Sequence, residues 1–470
     1  MDETQPLLPE SHQVPIPEQD QIADKDTVTF DPRGDAENPL DWPAAYKWSI
    51  VGLLAFMAFT VTFTCISVVP VANRIVSDLD NGRSSKSASV LLVTIWELGE
   101  AAGPLLIAPL SEMYGRYPVI NVCNIGFILT TVLAALCQNS ALFIVARALT
   151  GVAVASNVLN PAIVGDMFPP EQRGSAMSLI VLAPLTGGAV GPLISVAVAE
   201  GLGWRAVMWM CVILAGTAEV LFFTCFRETY KVPILKRKAA RLREETGNLS
   251  LRTAFDEGAQ SASKLKDAVM RPVIVFAGSG VLQIISLFSA VVFTFYYVMS
   301  TSLPDITGDV YGLEPTITGA VYISFSLGAG LSVIVCNTTM DKVYIKLRDL
   351  HKGIGRPEYR LPFVIFGAFT LPFAIAFFGW VPALHLPVAT LILAIVIIGT
   401  SALTALIVTR CLMGTFLPLA VSPLVDRFGY GWAFTILGAM MMCLGPIPVF
   451  VFRYGHKWRQ WSKYSKDEEH

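Results

Sequence analysis

Glu97 and Glu100 stand three residues apart in one apolar run, and Arg147 and Glu219 interrupt two other runs of the same kind. A spacing of three puts Glu97 and Glu100 on one side of a helix. In apolar surroundings a carboxyl keeps its proton more readily than in water, and a like-charged neighbour adds to that tendency. The chemistry such a pair offers is reversible proton uptake near neutrality. The plainer alternative is that both carboxyls bond to neighbouring helices and serve packing. Glu219 invites the same two readings, lying near one end of its run or facing a cavity. A buried guanidinium has to be paired, so a carboxylate is expected beside Arg147, in a proton-linked site or as a structural tie. Ionisable groups at such positions are costly to bury and mark function by default. The sequence holds no phosphate-binding loop, zinc-protease pattern or Gly-rich nucleotide turn, and its cysteines lack metal-ligand spacing. No enzyme activity, cofactor or metal is expected.

The runs that must position these groups are long enough to cross a bilayer. Hydrophobic residues make up 54% of the 470 residues and charged ones 15%, against roughly 25% charged in soluble domains. That deficit excludes an ordinary soluble enzyme, and nothing suggests a nucleic-acid partner. Spans are expected at about 48–72, 88–110, 117–137, 140–165, 175–200 and 205–226, then at 272–299, 315–338, 361–381, within 386–424, and at 431–452. Each is near the ~20 residues that a ~30 Å hydrocarbon core requires. The expected organisation is a disordered cytoplasmic tail over 1–46, a six-helix half over 47–226, a basic cytoplasmic loop over 227–270, a second helical half over 271–453, and a cytoplasmic tail over 454–470. Lys and Arg gather in the loops that share a side with both ends, which makes that side cytoplasmic.

Gly103-Pro104-Leu105-Leu106-Ile107-Ala108-Pro109-Leu110-Ser111-Glu112-Met113-Tyr114-Gly115-Arg116-Tyr117-Pro118 joins the second and third spans through about six residues. This run resembles the loop signature between helices 2 and 3 of the major facilitator superfamily, in the form seen in fungal drug:proton antiporters. Asn38-Pro39-Leu40-Asp41-Trp42 resembles the segment preceding helix 1 in that family, though an interfacial Trp anchor explains it equally. Arg147-Ala148-Leu149-Thr150-Gly151 is similar to its R-x-x-x-G motif, associated with proton coupling. Gly187, Gly191 and Pro192 resemble the antiporter motif of helix 5, although small residues spaced by four also serve plain helix packing. The resemblance implies that Gly103, Ser111, Glu112, Gly115 and Arg116, with Asp166, form a charge network that locks one conformation.

Other polar side chains are candidates for a substrate cavity: Asn157 and Asn160 in the fourth span, and Gln283, Tyr296 and Tyr297 in the seventh. The asparagines equally suit helix–helix bonding, and the tyrosines an interfacial belt. The two halves look like a repeat: Gly203-Trp204 and Gly431-Trp432 each open the last helix of a half. Against that frame 386–424 is short, about 58 Å as helix, which is less than two crossings and a turn need. Two shortened, tilted crossings are expected there.

The expected molecule is an all-α polytopic membrane protein with the major facilitator fold, two six-helix halves and one shortened region around helices 10–11. It would act as a monomer in the lipid bilayer, expelling a small organic compound (a drug, toxin or secondary metabolite) in exchange for protons by alternating access. The alternatives are an uptake carrier or facilitator, and a non-transporting sensor with a carrier fold. The plasma membrane is the expected location. Glu3-Thr4-Gln5-Pro6-Leu7-Leu8 resembles an acidic dileucine sorting signal, which keeps a vacuolar or endosomal membrane as the alternative.

Overall fold

The computed structural model describes residues 27–31, 33–82, 86–253, 255, 270, 274, 276–278, 280–350, 362–401 and 407–461. The sorting-type signal, most of the central loop beyond 255, the tail beyond 461 and the side chains of Asn157 and Tyr296 lie outside the described residues. Among the described residues there is no β-strand, only an isolated bridge between Thr27 and Arg252. Eight helices among the described residues are long and apolar enough to cross a membrane.

The first half consists of α1 (Ala44–Ile66) continued by α2 (Ala72–Leu79), α3 (Lys86–Tyr114), α4 (Arg116–Leu136), α5 (Ser140–Val152) with α6 (Ser156–Met167), α7 (Pro170–Leu202) and α8 (Trp204–Cys225). These make six passes in alternating directions. Helix α9 (Lys231–Thr246) follows on the side of the bundle where Gly115 and Arg116 stand, called here the motif end. The second half holds α10 (Gly280–Asp305), α11 (Pro315–Val321) with α12 (Ile323–Leu350), α13 (Pro362–Ala383), α14 (Val388–Ser401), α15 (Ile407–Leu444) and α16 (Pro446–Trp461). Helix α15 breaks at Gly429, whose φ of 71° is one that few other residues adopt. Its first leg and its second, continued by α16, are therefore separate passes.

Within 386–424 the described residues form α14 and the first leg of α15, and residues 402–406 between them lie outside the described residues. The described part of α14 has 14 residues, about 21 Å at 1.5 Å per residue. The leg of α15 before Gly429 is full length. The repeat is also offset: the turn opening the last pass of the first half is at Gly203, that of the second at Gly429 rather than Gly431.

Close helix contacts set the geometry of the first half. A Cβ on Gly99 would lie 2.1 Å from Ala148 O, one on Gly103 2.5 Å from Val152 O, and one on Gly151 2.2 Å from Trp96 O. Helices α3 and α5 thus touch backbone to backbone, which carries Arg147 against α3. Helices α1 and α7 do the same: a Cβ on Gly187 would lie 2.7 Å from Phe59 O, and one on Gly191 3.1 Å from Ser67 Oγ. The halves meet where α3 packs on α15 and where α7 packs on α11 and α12.

The disorder expected over 1–46 does not extend through its last third. Residues 27–31 and 33–43 are described, and their acids are docked on α9. Lys238 pairs with Asp35, and Arg241 reaches Glu37 at 2.8 Å. Val28 N–H donates to Arg252 O. The cause is charge complementarity: the acids of the tail meet the cations of the loop helix. Lys238 beside Asp35 holds that carboxyl below the usual carboxylate range. The Asn38-Pro39-Leu40-Asp41-Trp42 segment forms a 3₁₀ turn capped by Asn38, and Trp42 is buried behind it.

Candidate functional site

The membrane-embedded polar groups gather where helix 1 breaks. Pro70 has no N–H to continue a helix, and α1 ends at Ile66 before a 3₁₀ turn at Val69–Val71. Ser67 N–H still donates to Phe63 O, but the ladder stops there, and Thr64 O and Cys65 O are left for another donor. Arg147 fills that gap: Nη1 donates to Thr64 O at 3.1 Å and Nη2 to Cys65 O at 2.9 Å. Its guanidinium lies 4.5 Å from the centroid of the Trp96 ring, a cation–π contact. The carboxylate expected beside Arg147 is not its partner. Backbone carbonyls and an indole face take that place, because the broken helix presents free acceptors at the right depth.

Glu97 and Glu100 border the same cluster with different partners. Glu100 Oε2 accepts from Trp96 Nε1 at 3.0 Å, within α3. Glu97, 1% exposed, shares a side-chain hydrogen bond with Tyr297 of α10. The Tyr297 hydroxyl also lies 3.8 Å from Cys65 Sγ. A residue of the second half is therefore inserted among α1, α3 and α5 of the first. Glu219 is elsewhere: its Oε2 accepts from Asn124 Nδ2 at 2.8 Å, between α4 and α8. Its Oε1 finds no partner among the described residues.

Of the other cavity candidates, Asn160 is buried and its Oδ1 finds no partner among the described residues. Gln283 is exposed and donates to Phe276 O and Ala277 O, which takes it out of the cluster. Ser195 Oγ donates to Pro192 O. Gly187, Gly191 and Pro192 lie along the face of α7 that packs on α1 and α11.

At the motif end, Arg116 is buried and its Nε donates to Asp166 Oδ2 at 3.3 Å. Its Nη1 donates to Ser111 Oγ, and its guanidinium stacks 4.7 Å from the Tyr230 ring centroid. Glu112 is exposed and makes no ion pair with Arg116. Ser111, the preceding residue of α3, is the one that meets the guanidinium.

The residue that sequence reasoning missed is Glu228. Its carboxylate accepts from four backbone N–H groups: Arg116 at 2.9 Å, Tyr117 at 3.2 Å, Thr229 at 3.0 Å and Tyr230 at 2.9 Å. The first two are the free donors at the start of α4, where a negative charge is favoured. Gly115 makes room: its φ is 102°, and a Cβ there would lie 2.2 Å from Glu228 Oε2. The available signal was a lone acid in the basic stretch directly after the sixth span. Glu228→Ala should leave these donors buried and unmet, costing about 2 kcal/mol, and should lower the apparent unfolding temperature of the purified protein. An unchanged thermal profile would remove the capping role.

At the opposite end the halves are tied together. Lys86 Nζ lies 3.2 Å from Asp426 Oδ1. Asn73 Nδ2 donates to Asp305 Oδ1 at 3.1 Å, and Thr316 Oγ1 to Glu200 Oε2 at 2.9 Å. Each contact joins one half to the other.

Comparison with known proteins places this architecture. Residues 49–413 match the family model described as Major Facilitator Superfamily. The chain is 31% identical over 460 residues to "Efflux pump radE" of Floropilus chiversii, covering 93% of this chain and 85% of that protein. It is 30% identical to "MFS transporter cpaT" of Aspergillus oryzae, covering 93% of this chain and 92% of that protein. Among solved structures, the partially occluded inward-open xylose transporter XylE from E. coli aligns with a TM-score of 0.62 at 15% identity, covering 87% of this chain and 98% of that one. The human organic anion transporter MFSD10 aligns with a TM-score of 0.56 at 16% identity, covering 87% of this chain and 100% of that one.

Proposed function

The chain belongs to the Major Facilitator Superfamily of membrane transporters, and we propose that it expels a small organic compound in exchange for protons. The observation carrying the proton-coupled part is the Glu97–Tyr297 hydrogen bond, a protonatable group of one half bonded to the other half inside the bundle. A carboxylate accepts a stronger hydrogen bond than a neutral carboxyl does. Proton binding to Glu97 thus weakens a tie between halves, and proton loss restores it. The direction of transport is supported by the efflux pump with which the chain shares 31% identity.

The cations of α9 and the Arg116 loop make the motif end the cytoplasmic one, by the positive-inside rule. With Lys86–Asp426, Asn73–Asp305 and Thr316–Glu200 closing the far end, the conformation is one closed to the outside. Export then requires these ties to break while the halves close at the motif end. The plasma membrane suits such export.

The experiment uses purified protein in liposomes with an imposed pH gradient and a panel of amphipathic fluorescent compounds. Inside-out protein should concentrate at least one compound into an acidic lumen and lose that ability when an ionophore collapses the gradient. Accumulation indifferent to the ionophore would refute proton coupling. Movement only in the opposite direction would make the protein an uptake carrier.

A further inference from the structure

At the motif end a cavity of about 610 Å³ lies between the ends of three membrane helices and α9. Helix α1 begins at Ala44, α4 at Arg116, and α8 ends at Cys225. Trp42, Tyr117 and Phe226, which line one wall, therefore stand at one level, the level where a membrane span gives way to water. Tyr117 and Phe226 are stacked with centroids 6.2 Å apart. Aromatic side chains favour that interfacial depth.

The other wall is charged, and its charges are not all spent. Glu228 is consumed by its four backbone donors, and Glu37 by Arg241. Lys238 is held by Asp35. Arg227 and Arg237 also line the cavity, are exposed, and have no ion pair among the described residues. Arg227 stacks its guanidinium 5.5 Å from the Tyr46 ring centroid, which orders the group without neutralising it. Two planar five-donor forks thus border a cavity that Trp42, Tyr117 and Phe226 also line.

We propose that this cavity binds the phosphorylated headgroup of an anionic membrane lipid, with Arg227 and Arg237 holding the phosphate. Arginine forks match phosphate oxygens in pairs, and basic pockets beside membrane helices suit such headgroups. The aromatic wall selects a lipid over free phosphate, since only the lipid brings a glycerol and acyl portion at that depth. The same wall joins the N-terminal segment, α9 and the Glu228 cap, so an occupied cavity braces the base of α4.

The test uses the full-length protein in neutral detergent, with binding read by native mass spectrometry and by thermal shift. The probes are short-chain phosphatidylinositol 4-phosphate, short-chain phosphatidylcholine, and soluble inositol 1,4-bisphosphate. The anionic lipid should bind and raise the unfolding temperature, while the other two bind far more weakly. R227A/R237A should weaken lipid binding about thirtyfold, and R237A alone about fivefold. Arg237 is exposed on α9, so R237A keeps the fold even if the pair does not. K231A/K236A removes two cations from the same helix outside the cavity and should leave binding unchanged. Equal loss in K231A/K236A would mean diffuse attraction and overturn the site, as would unaltered binding in R237A. Phosphatidylcholine binding as tightly would reduce the cavity to an apolar cleft, and inositol bisphosphate doing so would assign it to a soluble phosphate. Either result refutes the proposal.

Discussion

Glu97→Gln is expected to reduce gradient-driven efflux to background while sparing downhill exchange of the same compound. The substitution keeps the shape of the side chain and removes its proton-binding oxygen. Glu97 is almost wholly buried and bonded to Tyr297 from the other half, so its charge state acts on a contact between the bodies that move. Each unit of pKa change between the two conformations supplies about 1.4 kcal/mol of coupling, and Gln supplies none. Glu100→Gln should be milder, because that carboxyl is engaged by Trp96 of its own helix. Tyr297→Phe should retain the proton site and change the pH dependence, since it removes the group through which the second half senses Glu97. The measurement is efflux against exchange in liposomes over a range of pH. Unchanged pH dependence in Glu97→Gln would dismiss Glu97 and turn attention to Glu219, whose carboxylate meets Asn124 away from the cluster.

Arg147→Lys is expected to cost both stability and transport. The guanidinium serves two carbonyls at once and lies over the Trp96 ring. An ammonium is a point donor without that planar fork, so it serves one carbonyl well and loses the stacking. Charged hydrogen bonds contribute about 1.5–3 kcal/mol each, and a carbonyl left unmet in the bundle adds its desolvation cost. A fall in apparent unfolding temperature of about 3–6 °C follows for a molecule of this size, with transport lost because the break in helix 1 is no longer held. Thermal unfolding and liposome transport of the purified variant decide the matter. Wild-type stability would show that α1 keeps its shape without Arg147.

Much of this was legible in the chain. Run length and polarity are one-dimensional, and a bilayer imposes its thickness on them directly, so the positions of the spans follow from composition alone. The motif between α3 and α4 was legible because Gly115 must adopt a positive φ against a carboxylate, a demand that few residues meet. The shortage in 386–424 was legible as arithmetic.

Partners were a different matter. The sequence by itself determined the membrane class, the repeat of two halves and the rarity of charge inside the spans. Only the tertiary structure decided that Arg147 meets the Thr64 and Cys65 carbonyls, left open where helix 1 breaks, rather than a carboxylate. It also decided that Arg116 takes Asp166 while Glu112 stays outside, and that Glu228, distant in sequence, closes the start of α4. The physical reason is one of scale. Which helix carries a charge follows from its side chains and the solvent around it, whereas which atom answers that charge depends on helix rotation and depth to within an ångström. Close glycine contacts such as Gly99 against Ala148 fix those quantities between segments far apart in the chain.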